Sequence, residues 1–294
     1  MRLILSLIVF LSIAAVAFWL TSDDRRSPQP MIQWKDVVLR YQIVLKNASN
    51  SAVHEAHVDI LSPLDAEYQK LVKIDSGSEL SVSTIHKDGK NLLKFEFPLV
   101  SPFAEKIITV TAGLSIPNSA FADTVEKAGR YLSDGEYLQV SSEEMQGAIK
   151  RFENADKQQK PRLIYKWVLE NLKYAGYIQE DRGALYALKT GKGDCTEYMY
   201  LLMALLRGND IPARGFAGFY LSRKQQIVDA EDYHNWVAYF DGKYWRILDP
   251  LNSNFDKGYG NYVVLREVTT STVANHLSSQ RFVSYDSRLA ISMK

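Results

Sequence analysis

Residues 191–207 read GKGDCTEYMYLLMALLR and predict a helix with a cysteine in its first turn. Asp194 and Glu197 have the spacing of a capping box, which fixes the start of the helix within a residue or two. One face of this helix is apolar and carries Met199, Leu202, Met203 and Leu206. In the first turn, unpaired N–H groups and the helix dipole favour a thiolate, so we expect a lowered pKa for Cys195. The alternative for this residue taken alone is a buried structural cysteine.

The composition is that of a globular protein with one large domain or two smaller ones. The chain has 294 residues, 46% of them hydrophobic, with 35 Lys and Arg against 34 Asp and Glu. A net charge of +1 argues against nucleic acid as the main partner. Cys195 is the only cysteine, which excludes an intramolecular disulfide and a four-cysteine zinc site.

An apolar run from Leu3 to Leu20 opens the chain and is interrupted only by two serines. It is long for a signal-peptide core and just long enough to cross a bilayer as a helix. We interpret residues 1–22 as a signal or membrane anchor and favour an uncleaved anchor through residues 3–20. Cleavage near Ala17 and a buried N-terminal helix are the alternatives. We expect an exported protein, anchored in the inner membrane facing the periplasm or extracytoplasmic space, or soluble there after cleavage.

Two folded parts follow this segment. Residues 31–116 read as short strands separated by polar turns, which predicts a small all-β sandwich domain. Residues 117–143 read as a connector. In the remaining part, residues 144–294, the period changes to that of helices packed on a core, as in the stripe formed by Ile164, Trp167, Val168 and Leu172.

A predicted hairpin brings a histidine and an aspartate together. Two β-rich runs flank Asp241-Gly242, a favoured two-residue turn. A turn at these two residues places His234 directly opposite Asp249. Opposed side chains share one face, with Cβ atoms about 4.5 to 5.5 Å apart, so an imidazole–carboxylate hydrogen bond can form. The register therefore predicts a base and its orienting acid. The alternative is a cross-strand polar pair that only stabilises the sheet.

Three motifs occur in order along the chain: Gly193-Asp194-Cys195, His234-x-Trp236 and Trp245-x-x-Leu248-Asp249-Pro250. Together they resemble the transglutaminase-like superfamily of papain-related thiol enzymes, over about residues 145–256. The resemblance implies an α+β fold, in which a papain-like core of helices packed on an antiparallel sheet follows the β-sandwich and an N-terminal apolar helix. It also implies Cys195 as nucleophile, His234 as general base and acid, and Asp249 as the orienting group.

The resemblance implies an oxyanion hole that uses the Cys195 backbone N–H and a second donor. Trp167, Tyr174 and Tyr177 are equal candidates for that donor. We find no acidic loop of the calcium-binding kind, and we expect neither a metal nor a cofactor. The superfamily includes transferases, peptidases, amidases and deamidases, so the motifs indicate acyl-transfer chemistry and leave the acceptor open.

The expected function is thiol-dependent acyl transfer on a carboxamide or peptide bond of a protein or peptide. A thioester on Cys195 would be resolved by an amine or by water. A cysteine peptidase or cell-wall amidase of the same fold is the alternative enzyme. A non-catalytic adaptor on the same scaffold is the alternative from another class, and the intact triad argues against it.

Overall fold

The computed structural model describes residues 32–77, 81–87, 90–178, 180–268 and 281–294. The α-helices of this part of the chain are α1 (Val125–Gly129), α2 (Glu143–Ile149), α3 (Lys160–Asn171), α4 (Gly183–Thr190) and α5 (Cys195–Arg207). Its first nine strands are β1 (Trp34–Asn47), β2 (Val53–Ser62), β3 (Lys70–Asp75), β4 (Ser81–Lys87), β5 (Lys90–Val100), β6 (Glu105–Pro117), β7 (Phe121–Ala122), β8 (Lys173–Tyr174) and β9 (Lys192–Gly193). The later strands are β10 (Ala213–Tyr220), β11 (Gln225–Val228), β12 (Tyr233–Phe240), β13 (Tyr244–Asp249), β14 (Asn254–Phe255), β15 (Tyr262–Val268), β16 (Phe282–Ser284) and β17 (Leu289–Met293).

Among the described residues, the first sheet has five strands, in the order β11-β1-β6-β3, and β17 also pairs with β1. Along β1, alternate residues from Val37 to Asn47 are buried because successive side chains of a strand point to opposite faces. The buried face of β1 and β6 packs on side chains of β2 and β5 in one hydrophobic core.

The second sheet has ten strands within the same described ranges, in the order β14-β13-β12-β10-β15-β5-β2-β16, with β4 on β5 and β7 on β13. It therefore contains strands from the predicted sandwich and strands from the predicted catalytic part. The two groups meet where Arg266 of β15 pairs with Lys90 of β5. The core of the first sheet likewise includes Phe219, Val263 and Leu265.

Helix α5 is the central helix of the predicted catalytic part. It packs against α3 and α4 and against strands β10 and β12, and every residue from Glu197 to Arg207 is buried. The predicted start at Cys195 and the capping box are both confirmed. The helix predicted around Trp167 is also present, as α3.

The mixed α+β class is confirmed, whereas a separate small sandwich is not, because sheet and core continue from residues 53–100 into residues 213–268. Gln33–Lys294 form one compact unit, and the division at residues 117–143 stays a prediction. The proposed signal or anchor of residues 1–22, with its apolar helix, lies outside the described residues. Within the described ranges, no helix combines the length and the apolar character needed to span a bilayer.

The register of the β12–β13 hairpin differs from the predicted one. Phe240 pairs with Trp245, so the two turn residues are Gly242 and Lys243 instead of Asp241 and Gly242. The cause is local: Oδ1 of Asp241 accepts the backbone N–H groups of residues 243 and 244, at 2.9 and 2.7 Å. Gly242 has a φ of +105°, which its lack of a side chain permits. The predicted direct opposition of histidine and aspartate is therefore wrong by two positions.

Candidate active site

The start of α5 fixes the position of Cys195. Oδ1 of Asp194 accepts the backbone N–H of Thr196 at 2.8 Å, and Oε2 of Glu197 accepts the backbone N–H of Asp194 at 3.1 Å. Gly193 must lack a side chain here, because a Cβ would lie 2.4 Å from Cβ of Glu197. The cysteine is thus held in the first helical turn by two reciprocal hydrogen bonds and a close backbone approach.

The environment of the thiol opposes ionisation in the resting protein. Burial raises the pKa of Cys195 to about 12, and the nearby charge of Asp194 acts in the same direction. Hydrogen bonds from the backbone N–H of Asn235 and from the hydroxyl of Thr196 lower the pKa and offset part of this effect. The expectation of a lowered thiol pKa is therefore wrong for the resting state, because loss of solvent outweighs the helix terminus.

His234 and Asp249 form a close pair. The imidazole Nε2 lies 2.8 Å from Oδ2 of Asp249, and the aspartate side chain is almost fully buried. The ring of His234 stacks on Trp236 at a centroid distance of 6.3 Å. A carboxylate can only accept, so the Nε2–H tautomer satisfies this contact and leaves Nδ1 able to take a proton.

Asp249 is itself held by further donors. Its Oδ2 accepts Nδ2 of Asn252 at 2.7 Å and the hydroxyl of Tyr262 at 2.9 Å, while Oδ1 accepts the backbone N–H of Asn252 at 3.3 Å. Burial alone would raise the pKa of Asp249. The hydrogen bond and the charge of His234, together with the hydrogen bonds from Asn252 and Tyr262, bring the pKa below its ordinary value. The carboxylate therefore stays ionised beside the imidazole.

Residue Asn235 connects the thiol with the histidine strand. It follows His234 in β12, and its backbone N–H lowers the pKa of the Cys195 thiol. Its side-chain Nδ2 donates to Oγ1 of Thr196 at 2.8 Å. The structure thus joins the start of α5 to the start of β12 at the residue beside the proposed base.

The three candidate oxyanion donors lie in different surroundings. Tyr174 pairs with Gly193 in the β8–β9 ladder, and burial and the charge of Cys195 raise its pKa. Trp167 instead packs edge-on against Phe152, at a centroid distance of 6.3 Å. Tyr177 is 81% exposed. Tyr174 is the one of the three that the structure brings beside the thiol.

The segment before α4 is attached to the same carboxylates. Oδ2 of Asp194 accepts the backbone N–H of Ile178 at 2.9 Å, and Oε1 of Glu197 accepts that of Arg182 at 3.0 Å. Burial raises the pKa of Glu197 to about 7, although the backbone N–H groups of Arg182 and Asp194, which donate to its carboxylate, oppose the change. The side chains of Asp194 and Glu197 therefore hold both the first turn of α5 and the segment that precedes α4.

The described part of the chain has no group of three or more His, Cys, Asp or Glu side chains arranged to hold a metal ion. Sequence reasoning missed the residues that surround the predicted triad: Thr196, Asn235, Asn252 and Tyr262. A polar Asn235 on the strand face that carries Val237 and Tyr239 is a signal that could have been used. Tyr262 comes from β15, and nothing in the local sequence links it to Asp249.

Residues 144–250 match the family model described as the transglutaminase-like superfamily. This confirms the resemblance seen in the three motifs. No curated protein is significantly similar to the chain in sequence.

The comparison with solved structures finds one with a similar fold and others with a weaker likeness. A proposed cysteine protease from Cytophaga hutchinsonii superposes with a TM-score of 0.57 at 14% identity, over 89% of this chain and 92% of that one. The periplasmic domain of TgpA from Pseudomonas aeruginosa gives 0.35 at 16% identity, over 72% and 87% of the two chains. Red sea bream transglutaminase gives 0.32 at 13% identity, over 80% of this chain and 50% of that one. At 14% identity, the likeness to the Cytophaga protein concerns the fold alone. The superpositions on TgpA and on the transglutaminase are too weak to support a conclusion.

Proposed function

We propose that residues 144–250, a domain of the transglutaminase-like superfamily, form a thiol enzyme that transfers the acyl group of a carboxamide or peptide bond. The substrate is a protein or peptide, and the acceptor is an amine or water. The observation that carries the proposal is the 2.8 Å contact between Nε2 of His234 and Oδ2 of Asp249. The next residue of the histidine strand, Asn235, is hydrogen-bonded to Thr196 beside Cys195 in the first turn of α5.

The first half of the reaction forms a thioester. Nδ1 of His234 takes the thiol proton as the sulfur of Cys195 attacks the carbonyl carbon, and Asp249 stabilises the resulting imidazolium. Because burial disfavours a free thiolate, proton transfer accompanies attack on a bound substrate in this scheme. The backbone N–H of Cys195 and the side chain of Tyr174 are the groups we assign to the oxyanion. Collapse breaks the carbon–nitrogen bond, and the leaving amine or ammonia takes the proton from His234.

The second half releases the acyl group. An amine or a water molecule gives a proton to Nδ1 of His234 and attacks the thioester carbon. The carbon–sulfur bond breaks and the thiol is restored with that proton. An amine acceptor gives a new amide, as in crosslinking, and water gives a carboxylic acid.

One incubation separates the possible outcomes. The protein would be mixed with glutamine-containing peptides and a labelled primary amine, and the products analysed by mass spectrometry. Incorporated amine indicates a transferase, a gain of 1 Da (glutamine to glutamate, from the chemistry of the reaction) indicates deamidation, and a new amino terminus indicates a peptidase. Cys195→Ala should abolish whichever product is found. Folded protein that yields none of these products, over a broad peptide set and with cell-wall peptides included, would favour the non-catalytic adaptor.

The site of action is a second part of the proposal. The apolar run of residues 3–20 suggests export and a membrane anchor facing the periplasm or extracytoplasmic space. Fractionation of cells that express the full chain tests this: the anchor predicts release by detergent and not by high salt. Soluble protein with a new N-terminus near Phe18 would replace the anchor by a cleaved signal.

A further inference from the structure

Asn254 begins a chain of hydrogen bonds that ends at the carboxylate of the proposed triad. Its Nδ2 donates to Oη of Tyr262 at 2.7 Å, and the hydroxyl of Tyr262 donates to Oδ2 of Asp249 at 2.9 Å. The same Oδ2 lies 2.8 Å from Nε2 of His234. Three consecutive contacts therefore connect Asn254 to the imidazole of the proposed base.

The chemistry of the groups fixes the direction of this chain. Nδ2 of Asn254 also lies 2.8 Å from the carbonyl oxygen of Lys257, which can only accept and so identifies the amide end of the side chain. The other amide hydrogen is donated to the oxygen of Tyr262, whose own hydrogen must go elsewhere. A carboxylate can only accept, so that hydrogen goes to Asp249.

The turn between β13 and β14 places Asn254 beside the acid. Asn254 pairs with Asp249 in the ladder, and opposed residues of an antiparallel pair present their side chains on one face. The connection is tight, because the backbone N–H of Ser253 donates to the carbonyl oxygen of Pro250 at 3.0 Å. Ser253 has a φ of +50°, which is uncommon for a residue other than glycine. The backbone is thus strained at the point that sets Asn254 opposite Asp249.

The surroundings of Asn254 argue for more than packing. The residue is 4% exposed. Its Oδ1 is buried and finds no hydrogen-bond partner within the described ranges. A leucine of similar volume would avoid that unpaired oxygen. The amide is therefore a costly group here, and its paired nitrogen is directed at Lys257 and Tyr262.

We propose that Asn254 is a positioning residue that turns the hydroxyl of Tyr262 onto Asp249 and so holds the carboxylate that orients His234. The catalytic consequence rests on the proposed function, whereas the hydrogen-bond chain does not. Hydrogen bonds that follow one another toward a charge polarise and strengthen each other. Burial and the charge of Asp249 raise the pKa of Tyr262, so its hydroxyl stays protonated and remains a donor.

Double-mutant cycles in urea unfolding at pH 7 test the chain without any substrate. Asn254→Leu removes two amide contacts in the parent, but only the one to Lys257 when Tyr262→Phe is already present. Its shift of the urea midpoint should therefore fall to about half in the Tyr262→Phe background. The shift should also be smaller in the Asp249→Asn background, because the charge that polarises the chain is gone. Asn254→Ala completes the same cycles should the leucine not fit.

A matched control lies in the segment after α5. Asn209 is also buried, and its Nδ2 donates to the carbonyl oxygens of Ile149 and Leu205, at 3.3 and 2.9 Å. Asn209→Leu removes the same kind of contact at places that involve neither Tyr262 nor Asp249. Its midpoint shift should be equal in all three backgrounds, since substitutions that share no partner add. Circular dichroism reports whether each variant folds.

Turnover separates a positioning role from a structural one. With the substrate found in the peptide incubation, Asn254→Leu should lower kcat about 3- to 10-fold and leave KM unchanged, because a misplaced acid affects the transition state and not binding. Asn209→Leu should change neither constant. The double variant with Tyr262→Phe should be no slower than Tyr262→Phe alone.

Two results would overturn the proposal. Urea shifts of folded Asn254→Leu and Asn254→Ala that are equal in all three backgrounds would show that Asn254 is not coupled to Tyr262 or Asp249. A parental kcat for both variants would show that the coupling does not reach His234. The failure of the proposed function is a different result: Cys195→Ala would retain turnover, or no product would form, while the urea cycles would still report on the chain.

Discussion

Nε2 of His234 contacts Oδ2 of Asp249 at 2.8 Å although the two residues are diagonal and not opposed across the hairpin. The β12–β13 pairing joins Val237 to Leu248, and continuing it by one residue places Asp249 opposite Trp236. His234 is two positions further along the same face. A diagonal pair of this kind lies within reach of long side chains, and the imidazole ring bridges the distance.

The first prediction concerns the charge of Asp249. Asp249→Asn should lower the turnover rate by about 10⁴-fold, because the amide can favour the wrong tautomer of His234 and cannot stabilise imidazolium. Three donor groups converge on the carboxylate Oδ2, so a loss of about 1 to 2 kcal/mol in unfolding free energy should accompany it. Steady-state kinetics and urea unfolding measure the two effects. A folded variant with unchanged turnover would mean that another group orients the histidine.

The second prediction concerns the resting thiol. Burial raises the pKa of Cys195 to about 12, so native protein at pH 8 should react with iodoacetamide more slowly than a peptide cysteine, whose pKa is about 8.5. The rate should rise as the pH is raised from 8 to 10. A small cysteine peptide and the urea-unfolded protein are the controls. Native alkylation as fast as in the peptide would contradict the dominance of burial.

The third prediction tests the donor from β15. Tyr262→Phe removes the hydroxyl that donates to Asp249 at 2.9 Å, and the loss should be about 1.5 to 3 kcal/mol at pH 7 because the acceptor is charged.

The pH dependence gives this third test its sign. The pKa of Asp249 is lowered in the folded protein, so its contribution to stability is present above its ordinary pKa, near 4, and is lost as the pH falls through the folded value. Tyr262→Phe should raise that folded pKa and move the acid-unfolding midpoint upward. Tyr285→Phe, at the distant Asp59 contact, is the matched control and should leave turnover unchanged. An unmoved acid midpoint for Tyr262→Phe would show that its hydroxyl does not stabilise the charge.

The fourth prediction uses the buried carboxyl of Glu197. Its pKa is raised to about 7, so its ionisation opposes folding, and stability should fall as the pH rises from about 5 through 7. Glu197→Gln cannot ionise and should lack this component. Urea unfolding of both proteins at pH 5, 6, 7 and 8 checks this. The advantage of the parent over Glu197→Gln in unfolding free energy should narrow or reverse as the pH rises. Parallel stability curves would refute a neutral carboxyl at low pH in the folded state.

The fifth prediction concerns the backbone beside His234. Gly218 pairs with His234 in the β10–β12 ladder, and a Cβ there would lie 1.9 Å from the carbonyl oxygen of Val263. Gly218→Ala should therefore cost about 1 to 3 kcal/mol and reduce turnover. Gly147→Ala, in α2 with open space around its Cβ position, should be neutral or stabilising by up to about 1 kcal/mol. Equal effects of the two substitutions in thermal unfolding would exclude the steric cause.

Features encoded within a few residues were predictable from the sequence. The capping box at Asp194 and Glu197 needs only residues three apart, and it located the start of α5 correctly. The face shared by His234 and Asp249 was also predicted correctly, although the register was not. An error of two positions leaves every side chain on its own face because the side-chain period of a strand is two residues.

Other features were decided only when distant parts of the chain packed together. The pKa of Cys195 depends on how much solvent the sheet and helices remove, which no local pattern gives, so the helix-terminus argument alone had the wrong sign. The turn of the β12–β13 hairpin lies one residue later than predicted, because the side chain of Asp241 accepts two backbone N–H groups. The hydroxyl of Tyr262 comes to Asp249 from β15. The sequence thus determined which local elements and chemical groups exist, whereas tertiary packing decided their solvation and long-range partners, because desolvation and long-range contacts depend on the whole fold.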